Sequence, residues 1–217
     1  MQTAEKNIFI DYTIKSIKNR VPSISHDQSL IVLSGVYNDF KERYNMLSSS
    51  IVSIPSGKII YTHAMGMAHV WRELSRILYI QNTEECSQLS ECVFMILRLD
   101  YGLDLYPKTE LGEIYCLAHG AYGSVLVNTK YGENIVIFNN VTVGRVEGFT
   151  PIIGDNVILY PGSGVYGSSY IGNGSIVSAG TIVSNKIVPE NVIVFNGNDG
   201  GLIFKRRKKN YIYQYLS

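Results

Sequence analysis

The stretch Ile153-Gly-Asp-Asn-Val-Ile-Leu159-Tyr-Pro-Gly-Ser-Gly-Val165-Tyr-Gly-Ser-Ser-Tyr-Ile171-Gly-Asn-Gly-Ser-Ile-Val177-Ser-Ala-Gly-Thr-Ile-Val183 carries an aliphatic residue at every sixth position without a break. Four places after the first five of these stand Val157, Ser163, Ser169, Ser175 and Thr181, most of them small. A period of six is neither the alternation of a half-buried strand nor the 3.6 of a helix. It marks an internal repeat. A coil of three short strands makes a triangular prism, each unit of six supplying one flat face and one corner. The aliphatic side chain fills the narrow interior against the coils above and below. The small residue fits the corner, and Gly154, Asn156, Gly172, Asn173 and Gly174 supply the turn dihedrals. The pattern predicts a left-handed parallel β-helix.

Working backward, the same register continues through Val141 and Ile135, then Leu117, Leu111 and Leu105, and fades at Gly123 and Thr129. Between Val141 and Ile153 the segment Gly144-Arg-Val-Glu-Gly-Phe-Thr-Pro151 has room for two units but lacks their pattern, which predicts a loop protruding from the prism. Val188-Pro189 ends the repeat and starts a closing segment. The first hundred residues read differently. Val36, Phe40, Tyr44 and Leu47 recur at helical spacing, as do Val70, Leu74, Ile77 and Leu78, and Leu89, Val93, Ile96 and Leu97. The expected organisation is an α-helical N-terminal domain over 1–100, a β-helix over 101–195, and a closing segment with a basic run over 196–217.

The 217 residues hold 19 Lys+Arg against 18 Asp+Glu, so no broad basic field is offered to nucleic acid. No apolar run reaches the roughly 18 residues of a membrane span. The N-terminal stretch lacks the charged, apolar and small-residue succession of a secretory signal. Cys86, Cys92 and Cys116 form no CxxC pair, and an odd count suits a reducing compartment. A cytoplasmic protein is expected.

Ahead of the repeat stand Asp104-Leu-Tyr-Pro107, then Leu117-Ala-His119-Gly-Ala, then Asn140-Val-Thr-Val-Gly144 opening the loop. In order and spacing this resembles the hexapeptide-repeat acyltransferases, in their serine acetyltransferase-like branch, over roughly residues 100–195. The resemblance implies transfer of an acetyl group from acetyl-CoA to a hydroxyl, with no metal. Asp104 and His119 are fifteen residues apart, as are that branch's catalytic Asp and His. His119 would then be the general base, since a neutral imidazole titrates near the working pH. Asp104 would hold its tautomer and stabilise the imidazolium. Cofactor contacts are expected at Gly144, Tyr160, Ser178 and Ala179, and at Lys205 and Arg206 of the basic run, whose alternative is a solvated tail.

The departures bear on the acceptor. Where the branch ends its loop with Asp-Arg-His-Pro, this chain has Gly148-Phe-Thr-Pro151, and Ala118 replaces the Asp before the catalytic His. Side chains able to pair with the carboxylate and ammonium of an amino acid are therefore missing. The short loop is similar to that of the sugar-directed members. A carbohydrate acceptor is expected, surface polysaccharide or its precursor, met by Arg145, Phe149, Thr150 and Tyr122. The alternatives are a serine O-acetyltransferase with an altered acceptor site and a non-catalytic β-helix scaffold. A homotrimer, alone or paired through the N-terminal helices, is expected. His63 and His69 lie six apart, which does not put them on one helical face, and no third ligand is nearby. Cys116 is expected as a buried or corner thiol and not as a nucleophile.

Overall fold

The computed structural model describes residues 2–217. Four helices come first, α1 (Gln2–Lys18), α2 (His26–Ser49), α3 (Ala64–Ile80) and α4 (Glu84–Tyr101). Ser25 and Thr83 cap α2 and α4 by accepting the Gln28 and Cys86 N–H groups, and Gly102, in the left-handed conformation, closes α4. The sequence patterning did not reveal α1. Its stripe of Phe9, Ile10, Ile14 and Ile17 is short, and becomes a helix face by packing on α2, where Phe9 stacks on Phe40 at 4.7 Å.

The prism follows, with three faces. The first holds β1 (Tyr115–Leu117), β3 (Ile135–Ile137), β6 (Ile158–Leu159), β9 (Ile176–Val177) and β12 (Val192–Asn196), all parallel. The second holds β2 (Val125–Leu126), β4 (Thr142–Gly144), β7 (Gly164–Tyr166) and β10 (Ile182–Ser184). The third holds β5 (Ile152–Ile153), β8 (Tyr170–Ile171) and β11 (Ile187–Val188), with Tyr131 bridged to Ile153 beneath them. Three interior columns result: Leu117-Ile137-Leu159-Val177-Val194, Leu126-Val143-Val165-Val183 and Tyr131-Ile153-Ile171-Val188. All are buried. Each such aliphatic contributes about 1.5–3 kcal/mol by leaving water.

Below the loop the interior register differs from the expected one. Ile137 and Val143, not Ile135 and Val141, stand in line with Leu159 and Val165. Ile135 and Val141 fall two residues earlier, in the corner column held higher up by Val157 and Ser163. The reason is an insertion of four residues: ten separate Val143 from Ile153, where six would continue the repeat. They form a small hairpin in which Val146 and Phe149 exchange both backbone hydrogen bonds, with Glu147 and Gly148 at positive φ in the turn. This is the loop the sequence predicts between Gly144 and Pro151.

The corner positions do more than stay small. Ser124 Oγ donates to Phe138 O and accepts the Val141 N–H, both at 3.0 Å. Ser169 and Ser175 likewise bond backbone groups one coil up, at Lys186 and Val192. They satisfy backbone groups that the turn between two faces takes out of the strand ladders.

Beyond Pro189 the fold gains one more rung, because β12 adds Val194 to the first column and then turns back as the antiparallel β13 (Leu202–Arg206). The last residues run down to the helices. Tyr215 O accepts the Val52 N–H at 2.9 Å and the Ser217 N–H donates to Ser50 O at 3.0 Å, with Ile212 and Leu216 buried. Helices, prism and this C-terminal strap share one continuous core.

Candidate active site

The interior spacing is also broken in the first coil, where nine residues separate Leu117 from Leu126. The higher corners are regular: the N–H groups of Asn140, Gly162 and Gly180 bond the carbonyls of Tyr122, Asn139 and Pro161, one coil down. Tyr122 is thus the ordinary corner residue of the first coil. The three extra residues are His119, Gly120 and Ala121, folded into a 3₁₀ turn with φ of 53°, 81° and 48°. Left-handed conformations at two non-glycine residues are costly and cluster at functional sites. The bulge pushes the His119 imidazole out of the corner, where it is exposed.

His119 overlooks a cleft of about 500 Å³ between helices, prism and strap. Ser53, His63 and Met65 line it from the helical side, Cys116, Ala118 and Phe138 from the prism, and Gln214 and Tyr215 from the strap. An aromatic column leads upward from His119: Phe138 lies 5.8 Å from the imidazole and stacks on Tyr160 at 5.0 Å, and Tyr215 meets Phe138 edge-on. The Tyr160 and Tyr215 hydroxyls are 3.2 Å apart. Burial of Tyr215, with this contact, raises its pKa. Register puts Ser178 next above Tyr160, with Ala179 exposed beside it. Of the expected site residues, His119, Tyr160, Ser178 and Ala179 therefore share one edge of the prism.

The others lie elsewhere on the chain. Asp104 bridges to Val125 on the second face, and its carboxylate is 3.7 Å from Arg98 Nε. Both groups are about half exposed, so the pair is worth little. Among the described residues no hydrogen bond or ion pair joins Asp104 to His119. Tyr122 stacks on Tyr101 at 4.9 Å beside the bulge. Gly144 ends β4, where an added Cβ would fall 2.8 Å from the Tyr166 ring, so its bareness seats that ring. Arg145, Phe149 and Thr150 belong to the hairpin at the next corner, Phe149 being 62% exposed. Lys205 and Arg206 are exposed on β13.

Sequence reasoning missed the contributions of Ser53, Met65, Phe138, Gln214 and Tyr215, which become neighbours of His119 only when the strap and helices close on the first coil. His63 and His69 serve the fold. His63 Nδ1 caps α3 by accepting the Gly66 N–H at 3.0 Å. His69 is buried, its Nδ1 donating to Met65 O at 2.7 Å and its Nε2 accepting the Leu117 N–H at 3.0 Å. Desolvation lowers its pKa to about 4. Cys116 is buried as expected, and burial pushes its thiol up to about 12, far from a thiolate.

A bulged histidine on a prism of six-residue repeats is an arrangement similar to that of the hexapeptide-repeat acyltransferases. Residues 150–185 match the family described as Bacterial transferase hexapeptide (six repeats). The chain is similar to the serine acetyltransferase of Bacillus subtilis, 27% identical over 153 residues that cover 64% of this chain and 69% of that one. It is also similar to that of Staphylococcus xylosus, 25% identical over 190 residues, covering 81% and 87%. The crystal structure of serine acetyltransferase from Brucella abortus superposes with a TM-score of 0.68 at 21% identity, over 91% of this chain and 84% of that one, which shows the shared fold. The chain carries that family's six-residue repeat and is similar over most of its length to serine acetyltransferases; it is an acetyltransferase. These relatives are named as serine acetyltransferases, and none of the three is named for a carbohydrate acceptor. No helix of the described residues is long and apolar enough to cross a membrane.

Proposed function

We propose that the protein is an acetyl-CoA-dependent O-acetyltransferase whose acceptor is serine, bound in an altered site. The single observation that carries this is the three-residue bulge presenting His119 to a cleft, in a chain similar over most of its length to serine acetyltransferases. Solved serine acetyltransferases of the same fold, by their titles, include complexes with CoA and with cysteine. In this reading His119 takes the proton of the acceptor hydroxyl as its oxygen attacks the thioester carbonyl. The tetrahedral intermediate then collapses, the CoA thiolate leaves, and the imidazolium returns the proton to it. The column Phe138-Tyr160-Ser178 climbs about 14 Å from the level of Ala118, three strand spacings, and would support the extended arm of the donor.

Asp104 is proposed to steady His119 from the second face, where Arg98 now holds it. The hairpin with Arg145, Phe149 and Thr150 occupies a different corner from His119, so one chain does not bring them together. A homotrimer, alone or paired through the helices, would set one chain's hairpin beside a neighbour's bulge. Outward-facing Val125, Ile152, Ile182 and Ile187, the last 72% exposed, support such packing. We place the protein in the cytoplasm, where three unpaired cysteines are at home.

A second reading, a neutral carbohydrate acceptor, is favoured by one observation: no Asp, Glu, Lys or Arg lines the cleft beside His119. The test is thiol release from acetyl-CoA with L-serine and with a panel of neutral sugars, for the parent and His119→Ala. Serine turnover that falls at least about a hundredfold in the variant is the expected result. Turnover with sugars but not serine would replace the first reading by the second, and activity intact in His119→Ala would overturn both.

A further inference from the structure

A second cavity, of about 380 Å³, lies between α2, α3 and the first coil, and shares no residue with the His119 cleft. Arg72 of α3 lines it and is 1% exposed. Its guanidinium donates to the carbonyls of Pro107 and Thr109, while its Nε has no partner. Among the described residues no carboxylate forms an ion pair with it. Glu73, also buried, is divided between Arg43, whose Nε donates to it at 2.8 Å, and the Tyr115 hydroxyl. Asp39 and Arg76 add one charge of each sign to the lining. Arg76 is shared at 2.8 Å with Glu110, which is largely exposed and stands outside the cavity with its charge hydrated. With Arg76 paired to Glu110 and Arg43 to Glu73, Arg72 is, among the described residues, the one guanidinium of the lining without an ion pair.

A buried cation without a counter-ion is costly, and proteins pair such groups or bind an ion to them. Ile77, Ile80 and Leu111 give the rest of the wall an apolar character. We propose that this cavity binds a small organic monocarboxylate. Its carboxylate meets the Arg72 Nε and the Nη groups of Arg43, which uses only its Nε on Glu73, and its short apolar body lies on Ile77, Ile80 and Leu111. The ligand's charge meets the one guanidinium that has no ion pair, and the volume suits a small molecule. Arg72 and Arg76 both hold Pro107 O, so the site is tied to the segment that follows Asp104. The proposal stands independently of the acceptor that the His119 cleft takes.

Calorimetric titration of the full chain with hexanoate tests it, with hexanol and hexylammonium as neutral and cationic controls. Saturable binding of hexanoate alone is expected. Arg43→Gln should weaken it by at least about tenfold, the loss of a charge-assisted hydrogen bond. Because that variant also strips Glu73 of its ion pair and can unfold the chain, Ile80→Glu is the second: Ile80 is 56% exposed, so the helix tolerates the change while a like charge enters the wall. It should weaken hexanoate as strongly, and His119→Ala should bind it as the parent does. Absence of saturable binding at 10 mM, equal binding of hexanol, unchanged affinity in Ile80→Glu, or loss in His119→Ala each overturns the proposal.

Discussion

His69 offers a quantitative test of how the helices are fastened to the prism. Its imidazole is buried and neutral, donating to Met65 O within α3 and accepting the Leu117 N–H at the end of β1. It also stacks on Tyr115 at 5.7 Å. Desolvation, the leading cause, lowers its pKa from 6.5 to about 4 in the folded chain. In the unfolded chain the ring returns to its ordinary value. Between those two values the unfolded state binds more protons than the native state, so stability rises with pH across that window. The contribution is fully present above 6.5 and is lost as pH falls toward 4. Each pH unit in that window costs about 1.4 kcal/mol, so a drop to pH 5 removes about 2 kcal/mol through this one group. His69→Gln provides the control, since an amide can accept the Leu117 N–H and donate to Met65 O without titrating. Urea unfolding at pH 7 and pH 5 should give the parent a loss larger than the variant's by about 2 kcal/mol. Equal losses in the two proteins would refute the account of His69 as a neutral joint.

Two further substitutions test the prism. Leu159→Ala, in the middle of the first interior column with Ile137 below and Val177 above, should cost about 2–5 kcal/mol in denaturant unfolding. A cost below about 1 kcal/mol would mean that the column is not close-packed there. Ser124→Ala leaves the buried Val141 N–H without its acceptor and should cost about 1–3 kcal/mol, read as a lower thermal midpoint. A neutral result would show that the corner needs only a small residue and not its hydroxyl.

The repeat from Ile153 to Val183 could be read directly because each side chain in it answers to one local demand, interior, corner or turn. The protruding hairpin was legible by the same token, as pattern lost between two ordered stretches. The register below it was not. Ile135 and Val141 are as aliphatic as Ile137 and Val143, and a count of six backward from Ile153 lands on Ile135 and Val141 because it cannot register the four-residue insertion. Only the hydrogen-bonded alignment of β3 with β6 and of β4 with β7 separates them. Likewise α1 has too few apolar residues to declare itself before α2 covers them.

For the candidate site, the sequence determined that His119 stands fifteen residues after Asp104, ahead of a six-residue repeat, and it supplied the extra residues that displace it. Those follow from spacing along the chain, which folding does not alter. Tertiary structure decided what surrounds the imidazole. Tyr215 lies almost a hundred residues away and arrives only because β13 turns the chain back toward the helices, and Met65 arrives because α3 docks on β1 through His69. It also decided that Asp104 faces Arg98 in the single chain and that Arg72 lies buried without a carboxylate of its own. Such meetings depend on the packing of distant elements against one another, and no period or spacing in the chain encodes them.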